Sequence, residues 1–505
     1  MHGPFAEPAL DTPSVTLLTE GTYPHSHGGV SVWCDQLVQG MPDIDFRVIA
    51  VTGTGREPLA WDLPGHVRSV DTLPLWGPPP AGRAPRGRAL RRFLTAYERF
   101  LLALLDPAQE HHFPRAFYRL AEYAAAGTLP AALRGEAAAR ALVGVWNRPE
   151  LATAAARPTL HDALTATDLL EHALRPLAAK APAEGVTHAV SGGLAAVPGL
   201  LAHHRHGTPF LLTEHGIYLR ERYLGFRAEP YRWPVKALML GLFRLLAEES
   251  YRRAALVTPG NRYNRRWEEH GGTPPDRIRT VYNGVDPAAF PPAGPEPEAP
   301  TLSWAGRVDP IKGLETLIRA FALVRAEIPA VRLRLFGGTP RGGEGYRTAC
   351  ENLAAELGVA DGVTFEGRVE DIRDAYAAGN VVMLSSISEG FPFTLIEAMS
   401  CGRATVSTDV GGVCEAVGDS GLVVPPRDPE SMAKAALRLL KDPGLRARMG
   451  ESARLRVIEQ FTLRQTINSF RDIYHDLARS RQPEYGRIFR PEPVPVMALA
   501  AGGAG

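Results

Sequence analysis

Residues 301–338 read TLSWAGRVDPIKGLETLIRAFALVRAEIPAVRLRLFGG, and their order decides the fold. TLSWAG is a short apolar run that ends at a glycine. LETLIRAFALVRAEIP then repeats its apolar residues at helical spacing, and VRLRLFGG returns to strand text. Strand, loop, helix and strand in that order are the grammar of a parallel sheet wound on both faces. The alternation continues downstream through YRTACENLAAELG, VTFEG, VEDIRDAYAAG, VVMLSS, FTLIEAMSCG, ATVSTD, LVVPP and PESMAKAALRLLKDP. A Rossmann-like domain over 298–460 follows, with a last helix, LRQTINSFRDIYHDLARS, inside 461–481.

Upstream the same grammar appears. VTLLTEG (15–21) leads through TYPHSHGG into the helical VSVWCDQLVQGM, and FRVIAVTG is the next strand. VTHAVS, PFLLTE, ALVTPG and IRTVYNGVD read as further strands. They predict a second Rossmann-like domain over 13–290. Between 56 and 182 the text turns proline-, arginine- and alanine-rich and reads as a helical insertion. PPAGPEPEAP (291–300) holds neither helix nor central strand, so it reads as the interdomain linker. The tail 482–505 is expected to be disordered. The fold class is therefore α/β, with two doubly wound domains facing across a cleft. Ligands bind at the carboxyl ends of such strands, so the chemistry belongs in the loops that follow them.

Composition sets outer limits. The 505 residues carry 56 basic and 55 acidic side chains, so no overall field favours nucleic acid. The start, MHGPFAEPAL, has no basic segment before an apolar core, and no uninterrupted run of eighteen apolar residues occurs. A cytoplasmic chain is expected. Its four cysteines (Cys34, Cys350, Cys401, Cys414) lack CxxC spacing and read as reduced thiols.

Three loops carry chemistry. In SSISEGFPFTLIEAMSCG (385–402), Pro392 suits a helix start, and the amides of Phe393, Thr394 and Leu395 would face the cleft as an anion site. Glu389 stays in the loop, and Glu397 lies about one turn inside the helix. In WAGRVDPIKG, Arg307 and Lys312 are five apart around a turn, two cations suited to a departing diphosphate. In TYPHSHGGV, Gly28 and Gly29 permit close backbone approach to a ligand. TEHGIYLRER (213–222) places His215 directly behind a buried strand, either as a ligand contact or as a strand-end histidine satisfied by backbone. No metal site is expected. His25 and His27 have no acidic or cysteine partner at ligand spacing, HHRH (203–206) sits at a helix end, and the DID at 43–45 reads as a turn.

Together, GRVDPIKG, EGFPFTLIE and the double glycine resemble the retaining glycosyltransferases of family four, which have the GT-B fold. LLTEGTYPHSHGGVSVW and LLTEHGIYLRER resemble the PelF-type members, the cytosolic glycosyltransferases of Pel exopolysaccharide synthesis, whose N-terminal domain is also enlarged. The resemblance implies that Arg307 and Lys312 hold the diphosphate with the Thr394 and Leu395 amides, and that Gly29 meets it from the opposite wall. Glu397 would bind the ribose, Glu389 the donor sugar, and Arg368 and Val369 would line the base. His215 would lie near the sugar's primary hydroxyl, and the last helix would cross back to the N-terminal domain.

The implied donor is UDP-glucose or a UDP-N-acetylhexosamine, used without metal or other cofactor. Transfer to a growing glycan would proceed by front-face displacement, or through Glu389 as nucleophile in a double displacement. A membrane-embedded polysaccharide synthesis or export protein would be the partner, with the enzyme peripheral at the inner face of the membrane. The arginine-rich RAPRGRALRRFL reads either as a dock for such a partner or as a solvated basic loop. The rival readings are a transferase with another glycan or small-molecule acceptor, a phosphorylase or epimerase, and a nucleotide-sugar-sensing scaffold of an export complex.

Overall fold

The strand text closes into two six-stranded sheets, parallel throughout, in a computed structural model that describes residues 13–151, 157–340 and 342–480. The first sheet contains β1 (Ser14–Glu20), β2 (Asp45–Thr52), β3 (Val67–Pro74), β4 (Val186–Ala189), β5 (Phe210–Glu214) and β6 (Leu256–Pro259). Their order is β3-β2-β1-β4-β5-β6. The second contains β7 (Thr301–Ala305), β8 (Arg332–Phe336), β9 (Val363–Gly367), β10 (Val381–Leu384), β11 (Ala404–Thr408) and β12 (Leu422–Val424), ordered β9-β8-β7-β10-β11-β12. In each sheet the winding reverses beside the first strand. The loops after β1 and β4, and after β7 and β10, therefore splay apart and leave a crevice.

Period-two alternation sends neighbouring residues of one strand to different cores. Leu17, Val48 and Ala50 pack with Trp33 and Leu37 of the helix Gly29–Gly40 and with Phe470, Ile473 and Tyr474. Leu18, Ile49 and Val51 face the opposite way, into the helices of the insertion. The insertion is thus a cover over one sheet face. Its longest helix, Gly87–Leu105, buries Phe93, Tyr97, Phe100, Leu101 and Leu104, a stripe at helical spacing. Each such side chain is worth roughly 1.5–3 kcal/mol of burial. Arg83, Arg86, Arg88, Arg91 and Arg92 remain exposed at its start, without an ion pair among the described residues.

Two expectations need correction. The span 56–182 is not helical throughout, because Val67–Pro74 forms the edge strand β3. Its half-exposed VRSVDTLP carries too few apolar residues to announce a strand. IRTVYNGVD is not a strand either. It runs beside β6 with Arg279 N donating to Val257 O and Val281 N to Pro259 O, but forms only an isolated bridge. Pro259 has no N–H for the return bond, so the ladder stops. The tail beyond 480 lies outside the described residues.

The helix Leu463–Arg479 leaves the second sheet's domain and packs on the first. Thr462 and Gln465 form a capping box at its start, and Val285 brackets the crossing, donating to Phe461 O and accepting from Leu463 N. Far along the helix, the Tyr474 hydroxyl shares a 2.7 Å hydrogen bond with His188 Nδ1. His188 Nε2 shares another, also 2.7 Å, with Thr213 Oγ1. His188 is fully buried, and burial lowers its pKa to about 3, so the neutral ring serves both bonds.

Tyr474→Phe strands one nitrogen of that ring and should lower the unfolding free energy by about 1–3 kcal/mol in chemical denaturation. Tyr474→Ala should cost more, about 3–5 kcal/mol, because a cavity is added.

Candidate active site

The crevice has a C-domain wall made by the loops after β7 and β10. In the first, Asp309 Oδ1 accepts the Ile311 amide at 3.0 Å and sets a tight turn over Pro310–Lys312. Gly313 follows with φ 62°, and a side-chain carbon there would stand 2.4 Å from Ser385 O. Only glycine lets the two loops come this close. Ser385 Oγ donates to Lys312 O at 2.8 Å, and Ile387 N to Ile311 O at 2.8 Å. The stitching delivers Lys312 Nζ to Glu389 Oε1 at 2.6 Å. Ser386 Oγ donates to the same carboxylate oxygen at 2.6 Å.

The loop after β10 then enters the helix Phe393–Ser400, with Pro392 preceding it. Leu395 N donates to Pro392 O at 3.2 Å, which corrects the expectation that three amides are free. Those of Phe393 and Thr394 stay unengaged among the described residues, as the first amides of a helix must. One turn in, Glu397 accepts a 2.5 Å bond from the Tyr376 hydroxyl, and burial raises its pKa. Val369 packs in the cluster that holds Tyr376. Arg368 is exposed, and so is Arg307, which makes no ion pair with Lys312's partner.

The N-domain wall comes from the loops after β1, β5 and β6. Glu214, at the end of β5, is buried, which raises its pKa well above the carboxylate range. Its carboxyl accepts Gly192 N at 2.5 Å and Tyr218 N at 3.4 Å, which closes the His215 turn and ties it to the loop after β4. The His215 ring stands edge-on to Trp33, centroids 4.5 Å apart, and its Nε2 is buried without a partner. Burial lowers its pKa to about 4. A neutral imidazole with an unsatisfied nitrogen can accept from, or donate to, a sugar hydroxyl.

The walls touch. A side-chain carbon on Gly390 would lie 2.0 Å from His215 O. Asn261 Nδ2 donates to Gly390 O at 3.1 Å, and Asn283 Nδ2 to Phe391 O at 2.9 Å. Glu415 accepts the amides of Arg262 and Tyr263, both at 2.8 Å, capping an N-domain helix from the C-domain. Phe393 packs against both domains' cores and lies 3.9 Å from the position of a side-chain carbon on Gly29. Gly28 has extended backbone, and no protein atom would contact a side chain there. Gly28 is the N-cap of the helix Gly29–Gly40, and the space in front of it is open.

The structure therefore gathers Lys312, Glu389, Phe393, Thr394 and Glu397 on one wall, facing His215 and Gly29 on the other. Arg307, Arg368 and Gly28 flank them without direct contact. The sequence reading missed Ser386, Tyr376, Trp33, Asn261 and Asn283. An asparagine directly after an apolar strand (VTPGN) or before glycine (YNG) was the available signal. Asp43 and Asp45 are taken by Arg471 and Arg68. Among the described residues no group of three or more His, Cys, Asp or Glu is placed to hold a metal. Cys34, Cys350 and Cys401 are buried and Cys414 is exposed, all as free thiols.

Comparison with known proteins gives independent information. Residues 299–442 match the family described as glycosyl transferases group 1. Residues 13–276 match a domain of unknown function, DUF3492. The chain is 32% identical over 316 residues to the D-inositol 3-phosphate glycosyltransferase of Salinispora arenicola, covering 57% of this chain and 68% of that one. It is 30% identical over 224 residues to the N-acetyl-alpha-D-glucosaminyl L-malate synthase of Bacillus anthracis, 42% of this chain and 57% of that one. It spans about half the length of several other curated relatives it matches. Among solved structures, the sucrose-phosphate synthase of Thermosynechococcus elongatus superposes with a TM-score of 0.59 at 21% identity, covering 93% of this chain and all of that one. Anabaena HepE, solved with UDP and glucose, gives 0.56 at 16% identity, covering 92% and 100%. These likenesses establish the GT-B arrangement of the two domains.

His215 titrates near 4 when folded against about 6.5 when unfolded. Its contribution is complete above pH 6.5 and is lost as pH falls toward 4, because the unfolded chain takes up the proton first. At about 1.36 kcal/mol per unit the difference reaches about 3 kcal/mol at pH 4. Denaturation of wild type and His215→Gln between pH 7 and 4 should therefore show the wild type losing more stability.

Proposed function

Because the chain belongs to the group 1 glycosyl transferases, we propose that it is a retaining, metal-independent hexosyltransferase using a UDP-sugar, with UDP-glucose the leading donor. The observation that carries this reading is the Lys312–Glu389 pair at the sheet's switch point, set opposite His215. Lys312 and the Phe393 and Thr394 amides supply positive potential where a diphosphate would lie, with exposed Arg307 able to swing in. Glu397, held by Tyr376, would bind the ribose hydroxyls, and Val369, packed in the cluster with Tyr376, and Arg368 would line the base. Diphosphate binding would draw Lys312 from Glu389 and free that carboxylate for the sugar's hydroxyls.

In the proposed reaction the bond from the anomeric carbon to the diphosphate breaks, and its electron pair stays on the phosphate oxygen. The acceptor hydroxyl attacks the same face and passes its proton to that oxygen. Lys312 and the helix amides hold the accumulating charge. His215, neutral at working pH, orients the hexose. The acceptor proposed is a growing exopolysaccharide of Pel type, made in the cytoplasm at the inner membrane face beside a membrane-embedded synthesis or export protein. The exposed arginines at 83–92 are offered as the docking surface, and no helix among the described residues is long and apolar enough to cross a membrane. A second reading, a small anionic acceptor, is favoured by relatives named for D-inositol 3-phosphate and L-malate.

Calorimetry with UDP in excess EDTA should show binding to wild type that magnesium or manganese does not improve. Lys312→Ala should lower kcat about a hundredfold or more, in keeping with roughly 2.7–4 kcal/mol for a lost transition-state contact. Binding that disappears with chelator, or an Ala variant with normal turnover at saturating donor, contradicts the assigned role.

His215→Ala should leave UDP affinity unchanged, weaken the intact nucleotide sugar, and slow transfer. Titrating both ligands on the same variant separates a sugar contact from a nucleotide contact, because equal losses would place His215 at the nucleotide.

A further inference from the structure

A groove of about 600 Å³ opens on the N-domain just outside the crevice, lined by Ile217, Tyr223, Trp233, Leu240 and Trp267 among others. Its volume is within the roughly 300–1,000 Å³ of small-molecule sites. Trp233 is 59% exposed, Tyr223 54% and Trp267 45%. Three large aromatics left half in water around one concavity cost burial that the fold does not recover, and mark a binding surface.

The lining includes no carboxylate and two cations, Arg220 and Arg244. Arg244 is neutralised by Glu110 and by Glu248 at 2.9 Å. Arg220 makes no ion pair among the described residues. The carboxyl of its neighbour Glu221 lies against Gly216, where a side-chain carbon would come within 2.3 Å of Oε1. The charge of Arg220 acts on the Glu221 carboxyl without an ion pair between them, and an apolar trough bearing such a cation is complementary to an apolar chain with an anionic group.

The groove is also continuous with the proposed site. Ile217 is two residues beyond His215 in the same loop, and the helix Arg262–His270, which carries Trp267, begins directly after Asn261, the residue that holds Gly390 O. We infer that this groove seats the apolar part of an amphiphilic acceptor whose anionic group meets Arg220 while its hydroxyl reaches the crevice. This rests on the transferase reading above in its second form, a small anionic acceptor, and adds an apolar part to that acceptor. Concavity favours a single molecule over a flat membrane surface.

The probe is monomeric dodecyl phosphate, titrated into the full chain by calorimetry and by tryptophan fluorescence, with UDP titrated in parallel. Wild type should bind it saturably at one site, with inorganic phosphate alone giving no signal. Ala237→Trp, which fills the groove, and Arg220→Gln, which removes the cation, should each weaken it about tenfold or more, a change worth about 1.4 kcal/mol. Dodecyltrimethylammonium should bind wild type about tenfold less tightly or worse by the same charge argument. UDP binding should be unchanged in both variants, which also reports intact folding.

Dodecyl phosphate binding that survives Ala237→Trp, or a cationic amphiphile bound as tightly, overturns the inference. Binding to anionic phospholipid vesicles without binding of the monomer overturns it in favour of a membrane surface. A chain that binds UDP but not dodecyl phosphate sinks the groove alone. One that binds dodecyl phosphate but not UDP sinks the transferase reading and leaves the ligand class standing.

Discussion

Two side-chain amides from one sheet's domain hold two consecutive carbonyls of the other. Asn261 takes Gly390 O and Asn283 takes Phe391 O, while Glu415 returns the contact by capping the helix that starts at Arg262. The segment so held leads directly into Pro392 and the Phe393–Ser400 helix. Its orientation decides where the Phe393 and Thr394 amides point, which face of Phe393 meets Gly29, and how near His215 comes to Glu389. Charge-assisted and amide bonds in a partly buried seam are each worth about 1–3 kcal/mol, too little to weld two domains and enough to bias how they meet. Such a seam suits a site that must assemble around a substrate and release a product.

The electrostatics follow from what water cannot reach. Glu20, Glu214 and Glu397 all have raised pKa values because they are buried, and Glu268 is pushed up to about 8 for the same reason. In a poorly hydrated crevice the field of one lysine reaches further than it would at the surface. Glu214 contributes without touching the centre of the site, since its bonds to Gly192 N and Tyr218 N fix the turn on which His215 rides. The apparent excess of function in TEHGIY is therefore divided: the glutamate builds the turn, and the histidine is what the turn presents.

Much of this was legible in the text. Long amphipathic helices and short apolar strands alternate from 301 onward with little ambiguity, and the strand-end loops are where Lys312, Glu389 and His215 were expected. What escaped the sequence was of two kinds. β3 is a half-exposed edge whose VRSVDTLP lacks a period, and IRTVYNGVD has the right residues but faces Pro259, a constraint set by another segment. The helpers Ser386, Tyr376 and Trp33 are ordinary core or loop residues until the fold brings them against a carboxylate or an imidazole. Local pattern gives elements and motif ends, whereas pairing across tens or hundreds of residues is decided by tertiary packing. The Leu395 amide shows the limit at the finest scale, since whether a helix opens with a 3₁₀ turn is settled by one carbonyl.

The helix Leu463–Arg479 has an implication for how the molecule comes into being. Phe470, Ile473 and Tyr474 complete a core whose other members, among them Val15, Trp33 and His188, are far earlier in the chain. As the polypeptide leaves the ribosome, that face of the N-terminal sheet is covered only in part, by Trp33 and Leu37 of the helix Gly29–Gly40. That face is closed only after the entire second domain has emerged. The first half of the protein must wait for the second, and the rest of that apolar face stays open while the second domain is made.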